Sequence, residues 1–206
     1  MKITWYGHSC FKIDCAEGTV VFDPYIPGKV PGLTLPLLEA DLCISSHLHT
    51  DHYAPACVKL TGTEKAFALT SIATFHDDQQ GALRGNNTIT VLRSEGVSVA
   101  HLGDLGHMLS EQQLRELGEI TVLLIPVGGF YTINAEQARQ LVRDIAPRAV
   151  VPMHYRCGDQ GLAPIAEVDD FLSLFDSNQI IHLTESSLEI SSKMSAGVYV
   201  FPWPQR

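Results

Sequence analysis

Short segments in which apolar residues alternate with polar ones, or run unbroken, recur along the first half of the chain: KITWY (2–6), CFKID (10–14), TVVF (19–22), DLCI (41–44), AFALT (66–70), SIATF (71–75), NTITVLR (87–93) and VSVAHL (97–102). Each is rich in β-branched or aromatic residues and most end at Gly, Asn or Asp, the signature of β-strands closed by turns. The second half changes rhythm. There the strand-like runs TVLLIP (121–126), RAVVPM (148–153), QIIHL (179–183), SLEI (187–190) and GVYVF (197–201) are interleaved with SEQQLRELG (110–118), NAEQARQLVRDI (134–145) and PIAEVDDFLSLF (164–175). Those three carry apolar residues at helical spacing behind capping residues and predict helices. The Pro- and Gly-rich stretch Pro24 to Pro36 has strands close on both sides and predicts a loop, not a linker. With no repeat or low-complexity tract, residues 1–206 are expected to form a single domain. Its class is α/β: two sheets with helices on both outer faces, a four-layer αββα sandwich.

Composition narrows the function. The chain has 206 residues, 45% of them hydrophobic and 18% charged, enough for one sizeable core. A net charge of −9 argues against gripping long nucleic acid, which needs Lys and Arg to displace counterions from phosphates. A small substrate is the expected partner. No segment approaches the roughly 18 apolar residues of a membrane span, and the opening MKITWYG lacks the pattern of a secretory leader. The five cysteines, Cys10, Cys15, Cys43, Cys57 and Cys157, are odd in number and never spaced CxxC, which points to a reducing, cytoplasmic setting.

One stretch demands chemistry. SSHLHTDHY (45–53) places three histidines and an aspartate directly after the apolar strand LCI. If the chain stays extended, His47, His49 and Asp51 point to one side by the two-residue period, and Pro55 favours a helix beginning near His52. Imidazole nitrogens with few carboxylates and no thiolate, gathered at a strand end, suit a divalent metal such as zinc.

HLHTDH (47–52) also resembles the signature of the metallo-β-lactamase superfamily. WYGHSCFKI, VFDPY, FHDDQQGALRGNNT, AHLGDLGH, PVGGFYTINAEQA and VVPMHY follow in series over nearly the whole chain and are similar to the branch of metal-dependent hydrolases related to L-ascorbate-6-phosphate lactonase. The resemblance implies two divalent ions, most often zinc, with manganese as the alternative. It places His47, His49 and His76 on one ion, Asp51, His52 and His154 on the other, and Asp104 between them, with a bridging hydroxide attacking a small anionic ester, lactone or phosphoester. Asp104 stands where true β-lactamases carry cysteine, and His49 where the diiron oxidoreductases carry glutamate, so antibiotic hydrolysis and electron transfer are not implied. The segment from Tyr53 to Phe75 is shorter than in the lactonase, which removes one wall of that enzyme's pocket.

Other positions have assigned expectations. Asp51 is a catalytic candidate for orienting the nucleophile, and His8 or His107 for protonating the leaving group. Arg84, Arg156 and Tyr131 are candidates for binding the substrate anion, since guanidinium pairs with carboxylate and phosphate in a bidentate manner. Tyr155 is a further pocket candidate. His101 and His182 are expected in the core, Asp77 and Asp78 near the site or in solvent. The apolar end GVYVFPWP covers either the core or a second copy of the chain, a homo-oligomer being possible. Two other functions fit less well: a phosphodiesterase or nuclease of the same fold, and a non-catalytic metal-binding protein.

Overall fold

A computed structural model describes residues 1–204. Strands β1 (Lys2–Trp5), β2 (Phe11–Cys15), β3 (Gly18–Phe22) and β5 (Leu42–Ile44) form one sheet with β13 (Ser187–Glu189), in the order β13-β1-β2-β3-β5. A second sheet takes β7 (Ala68–Phe75), β8 (Asn86–Ser94), β9 (Val97–His101), β10 (Val122–Pro126), β11 (Ala149–Met153), β12 (Ile180–His182) and β14 (Gly197–Val200), in the order β12-β14-β11-β10-β9-β8-β7. Between β9 and β12 lie helices α1 (Glu111–Leu117), α2 (Ala135–Ile145) and α3 (Val168–Leu172). The parallel strands β9, β10 and β11 are buried along their whole length, as strands covered on both faces must be.

Alternation along β3 explains how the layers stack. Val20 and Phe22 face the second sheet and join the main core, whereas Val21 faces outward into a smaller cluster of Cys10, Tyr25, Val30, Leu33, Leu35 and Val58. The expected α/β sandwich of two packed sheets is therefore present, with few helices, and the loop after β3 and a small ribbon of β4 (Leu38–Ala40) and β6 (Val58–Leu60) cover the outer face of the first sheet. Prolines and glycines in that loop exclude a helix while Tyr25, Val30 and Leu33 still supply apolar cover. Two further expectations change. AFALT and SIATF fuse into β7, which pairs with β8 over its full length, and the helix expected over 164–175 shrinks to α3 because residues 156–167 bridge back onto the chain at Arg156 and Glu167. The apolar end packs on its own chain, Trp203 meeting Trp5 edge-on at 5.7 Å and donating from Nε1 to Gln160 Oε1 at 2.6 Å.

Candidate metal centre

The strands that bear the candidate ligands all point the same way. His8 follows β1, Asp23 follows β3, His47 to His52 follow β5, His76 follows β7, Asp104 follows β9 and His154 follows β11, so six carboxyl ends converge on one edge of the sandwich. Asp104 sits at the centre, 1% exposed. Its Oδ2 lies 3.1 Å from His76 Nε2, 3.2 Å from His52 Nε2, 3.3 Å from His154 Nε2 and 3.9 Å from His47 Nε2. Donor atoms of His47, His49 and His76 fall within 4.8 Å of one another, and so do those of His8, Asp51, His52 and His154. The two groups flank Asp104.

Buried ring nitrogens test whether these residues suit metal ions. His47 Nε2, His52 Nε2, both nitrogens of His8 and of His154, and Asp104 Oδ1 have no partner of hydrogen-bond geometry among the described residues. Leaving one buried polar group unsatisfied costs about 1–3 kcal/mol, so a cluster of this size suits a bound cation. Nitrogen donors with two carboxylates and no thiolate fit zinc or a similar divalent ion.

The opposite nitrogens of His52, His76 and His47 are accounted for. His52 Nδ1 donates to Asp23 Oδ2 at 2.7 Å, His76 Nδ1 donates to the Tyr131 carbonyl at 3.1 Å, and His47 Nδ1 donates to Ser46 Oγ at 2.9 Å, which in turn donates to Asp23 Oδ2 at 2.6 Å. Asp23 Oδ1 accepts from Ser46 N at 2.6 Å. One fully buried carboxylate thus fixes the tautomer of two imidazoles with both Nε2 atoms turned inward. Sequence reasoning missed Asp23; its signal was an acid between the strand TVVF and a proline, in VFDPY. His8, Asp23 and His154 all adopt positive φ, at 53°, 45° and 54°, a conformation rare outside glycine that concentrates at functional sites. Gly103 and Gly106 sit where a Cβ would overlap Ser46 and the backbone of His76 and Asp77, which is why Asp104 is flanked by glycine.

Electrostatics follow from this packing. Burial opposes ionisation of Asp104, but His154 and His52 outweigh it and hold the carboxyl well below its ordinary range. Burial likewise opposes a charge on His52, yet Asp104 and Asp23 raise it well above an ordinary histidine when no ion is bound. Burial and the neighbouring His154 push His8 down to about 4, and burial with His52 pushes His47 to about 3. Both are neutral imidazoles.

The structure does not bring together every candidate. After β5 the chain turns instead of staying extended, with His52 N and Tyr53 N both donating to His49 O, and the expected helix near His52 is only a 3₁₀ turn over Pro55–Cys57. His107 lies apart: its Nδ1 donates to Met108 O and its Nε2 accepts from Phe75 N, so neither nitrogen is free to serve a leaving group. Arg156 is held by Glu167 at 2.7 Å and by the carbonyls of Ile165 and Gly158, outside the metal cavity. Tyr155 packs in the core against Trp5. His101 stacks on Phe22, as expected of a core residue, whereas His182 is exposed at the end of β12. Asp77 is buried and accepts four backbone N–H groups, and Asp78 is exposed. Arg84 and Tyr131 do line the cavity beside the cluster, a space of about 330 Å³ shared with Lys29, His49, Thr50, Asp51, His76, Asp104 and Leu162. A larger cleft of about 1090 Å³ opens at the opposite strand ends, around Arg93, Glu95 and Arg148, but no imidazole reaches it. The chemistry selects the smaller space.

Comparison with known proteins agrees. Residues 2–154 match the beta-lactamase superfamily domain. The chain belongs to that superfamily. This superfamily member is 32% identical over 183 residues to a UPF0173 protein of Pyrococcus abyssi, covering 75% of the chain and 83% of the relative. It is 29% identical over 191 residues to a UPF0173 metal-dependent hydrolase of Methanoculleus marisnigri, covering 75% and 81%. Among solved structures, it matches one from Thermotoga maritima assigned as a Zn-dependent hydrolase of the metallo-beta-lactamase superfamily, at a TM-score of 0.74 and 34% identity, over 97% of each chain.

Proposed function

We propose that this chain is a metal-dependent hydrolase, the class named for its relatives, and that two divalent ions, zinc or manganese, serve it in cleaving a small anionic ester, lactone or phosphoester. The observation that carries the reading is the shell of unpartnered buried imidazole nitrogens around Asp104. His47, His49 and His76 would hold one ion; Asp51, His52, His154 and the buried His8 would hold the other; Asp104 would serve both. When bound, such ions supply Lewis acidity and lower the pKa of water toward neutrality.

The residues of the chain do the remaining work. Asp23 keeps His52 and, through Ser46, His47 in the tautomers that leave Nε2 available. Asp51, which lines the cavity with burial outweighed by the neighbouring His8 and His52, stays ionised and orients the attacking water through its free oxygen. Arg84 and Tyr131 position the substrate from the wall. His8, sealed from solvent and neutral, does not protonate the leaving group. A cavity of about 330 Å³ in a chain of net charge −9 favours a small molecule over a nucleic-acid strand. Five free thiols fit action in a reducing cytoplasm, and no helix of the described residues is long and apolar enough to cross a membrane.

The test pairs elemental analysis of protein purified without added metal or chelator with a panel of phosphodiester, phosphomonoester and lactone substrates, on wild type and Asp104→Ala. About two zinc or manganese equivalents and an activity that Asp104→Ala abolishes are expected. A wild type that stays metal-free when zinc is offered refutes the reading.

A further inference from the structure

Two cations face the metal cavity with no carboxylate in ion-pair range among the described residues. Lys2, Lys12, Lys59, Arg115 and Arg156 have acidic partners and Arg93, Arg139 and Arg148 are held by backbone carbonyls, all of them away from the metal cavity, and the chain has 23 acidic residues to 14 basic ones. Lys29 and Arg84 line the same space as Asp51 and Asp104 and stand without such a partner. Sequence reasoning singled out Arg84 and missed Lys29, which sits in the loop after β3.

Both are held in place through the backbone of ligand-bearing loops. The Asp77 carboxylate, next to His76, accepts from Gln79 N, Gly81 N, Leu83 N and Arg84 N at 2.7 to 2.9 Å, so the loop that presents Arg84 hangs on one buried acid. The guanidinium of Arg84 donates once, from Nη2 to Phe130 O at 3.2 Å, and lies 5.6 Å from the Tyr131 ring, which leaves most of its five N–H donors for a ligand. On the other side, Lys29 N donates to Ile26 O, and Ile26 N donates to Thr50 O at 2.9 Å within the HLHTDH turn. Loops fixed in this way present both side chains to an anion without the cost of ordering the backbone.

Charge at the centre gives these cations their importance. Two divalent ions would bring four positive charges, Asp23, Asp51 and Asp104 remove three, and a hydroxide removes the fourth, so the core of the site is neutral once the missed Asp23 is included. The pull on an anion then comes from Lys29 and Arg84.

We propose, resting on the hydrolase reading above, that Lys29 and Arg84 clamp a carboxylate or phosphate group of the substrate that is remote from the scissile bond, with Tyr131 and Leu162 covering the apolar span between the two ends. The substrate class is thus a short bifunctional molecule, hydrolysable at one end and anionic at the other. Metal-loaded wild type, Lys29→Gln and Arg84→Gln are compared on mono(4-nitrophenyl) glutarate and 4-nitrophenyl valerate, esters of equal length with and without the remote charge. The ratio of kcat/KM for the anionic ester over the neutral one falls at least about tenfold in each variant, through KM more than kcat, and Lys29→Arg restores part of it. Inhibition by succinate against glycerol 3-phosphate then tells carboxylate from phosphate. A ratio that stays within about twofold of wild type in both variants overturns the clamp while leaving the hydrolase intact. Should neither ester turn over, the ester reading of the hydrolase fails by itself, and the clamp is read from calorimetric binding of glutarate: loss of binding in the variants upholds it, and equal binding, or none by wild type, overturns it.

Discussion

Replacing Asp23 by asparagine isolates the role of a residue that the proposed site places behind its histidines and not on the ion. Asparagine tolerates the positive φ of 45° at this position, so the backbone is preserved. Its amide oxygen can still accept from Ser46, but its NH₂ group then faces His52 Nδ1, 2.7 Å away in the native geometry. Two donors cannot face each other, so His52 moves its proton to Nε2, the atom that looks toward Asp104 and would bind the ion. Loss of the acceptor behind a metal-bound histidine typically costs about 10- to 100-fold in affinity, or about 1.4–2.7 kcal/mol. His47 is coupled one bond further, through Ser46 Oγ, so its ion loses less. Competition with a chromophoric chelator for Zn²⁺ or Co²⁺ resolves the two affinities, with circular dichroism of the metal-free form as a control for folding. Affinities of both ions within about twofold of wild type would refute the argument that Asp23 acts through the imidazoles.

Three further outcomes follow from the same geometry. His8→Asn, chosen because asparagine accepts the φ of 53°, lowers affinity for the deeper ion about tenfold or more while far-ultraviolet circular dichroism is unchanged; full occupancy by two ions at sub-stoichiometric chelator would remove His8 from the ligand set. Metal-free protein is most stable near pH 6.5, about the ordinary histidine value. His52, held above that value by Asp104 and Asp23 against burial, contributes stability that is present below about 6.5 and lost as pH rises through its folded value. His8 and His47, held down to about 4 and about 3, make stability fall as pH drops below 6.5, and a melting temperature flat from pH 5 to 8.5 contradicts both. Gly106→Ala forces a Cβ into the backbone at His76 and Asp77 and should cost about 1–3 kcal/mol, lowering the melting temperature by several degrees, whereas a melt unchanged to within a degree would show that the loop yields freely.

The period-two runs of the sequence located most strands because burial on one or both faces leaves a pattern in neighbouring residues; β2, β3, β9, β10 and β11 fall where alternation or unbroken apolarity placed them. The covering of the first sheet was less legible, since a loop that buries Tyr25, Val30 and Leu33 has no period to read. The HLHTDH cluster announced itself because its donors lie within a few positions of one another. Asp23 and Lys29 did not, for the opposite reason: Asp23 meets His52 from 29 residues away and Lys29 lines the same cavity as Arg84 from a different sheet, placements that only parallel pairing of β3 with β5 and closure of the sandwich create. His8 was read as a proton donor because sequence says nothing about exposure. It has no solvent access, its Nε2 lies 3.5 Å from Asp51 Oδ2 and its ring packs beside His154, which is why the proposed site counts it with the ligands and not as a proton donor.

Burial also divides the two halves of the centre. His8, His52 and His154 are sealed from solvent, while His49 is exposed and His76, Asp51 and Asp104 face the cavity. A substrate therefore meets the side of His49 and His76 first, and the deeper side is closed by protein on all but the face it shares with Asp104. Groups closed in this way sit on strand ends, which are rigid, whereas Lys29, Arg84, Tyr131 and Leu162 come from the loops after β3, β7, β10 and β11. On the proposed reading, substitutions of those four side chains retune which anion is accepted while the ligands at the strand ends stay in place.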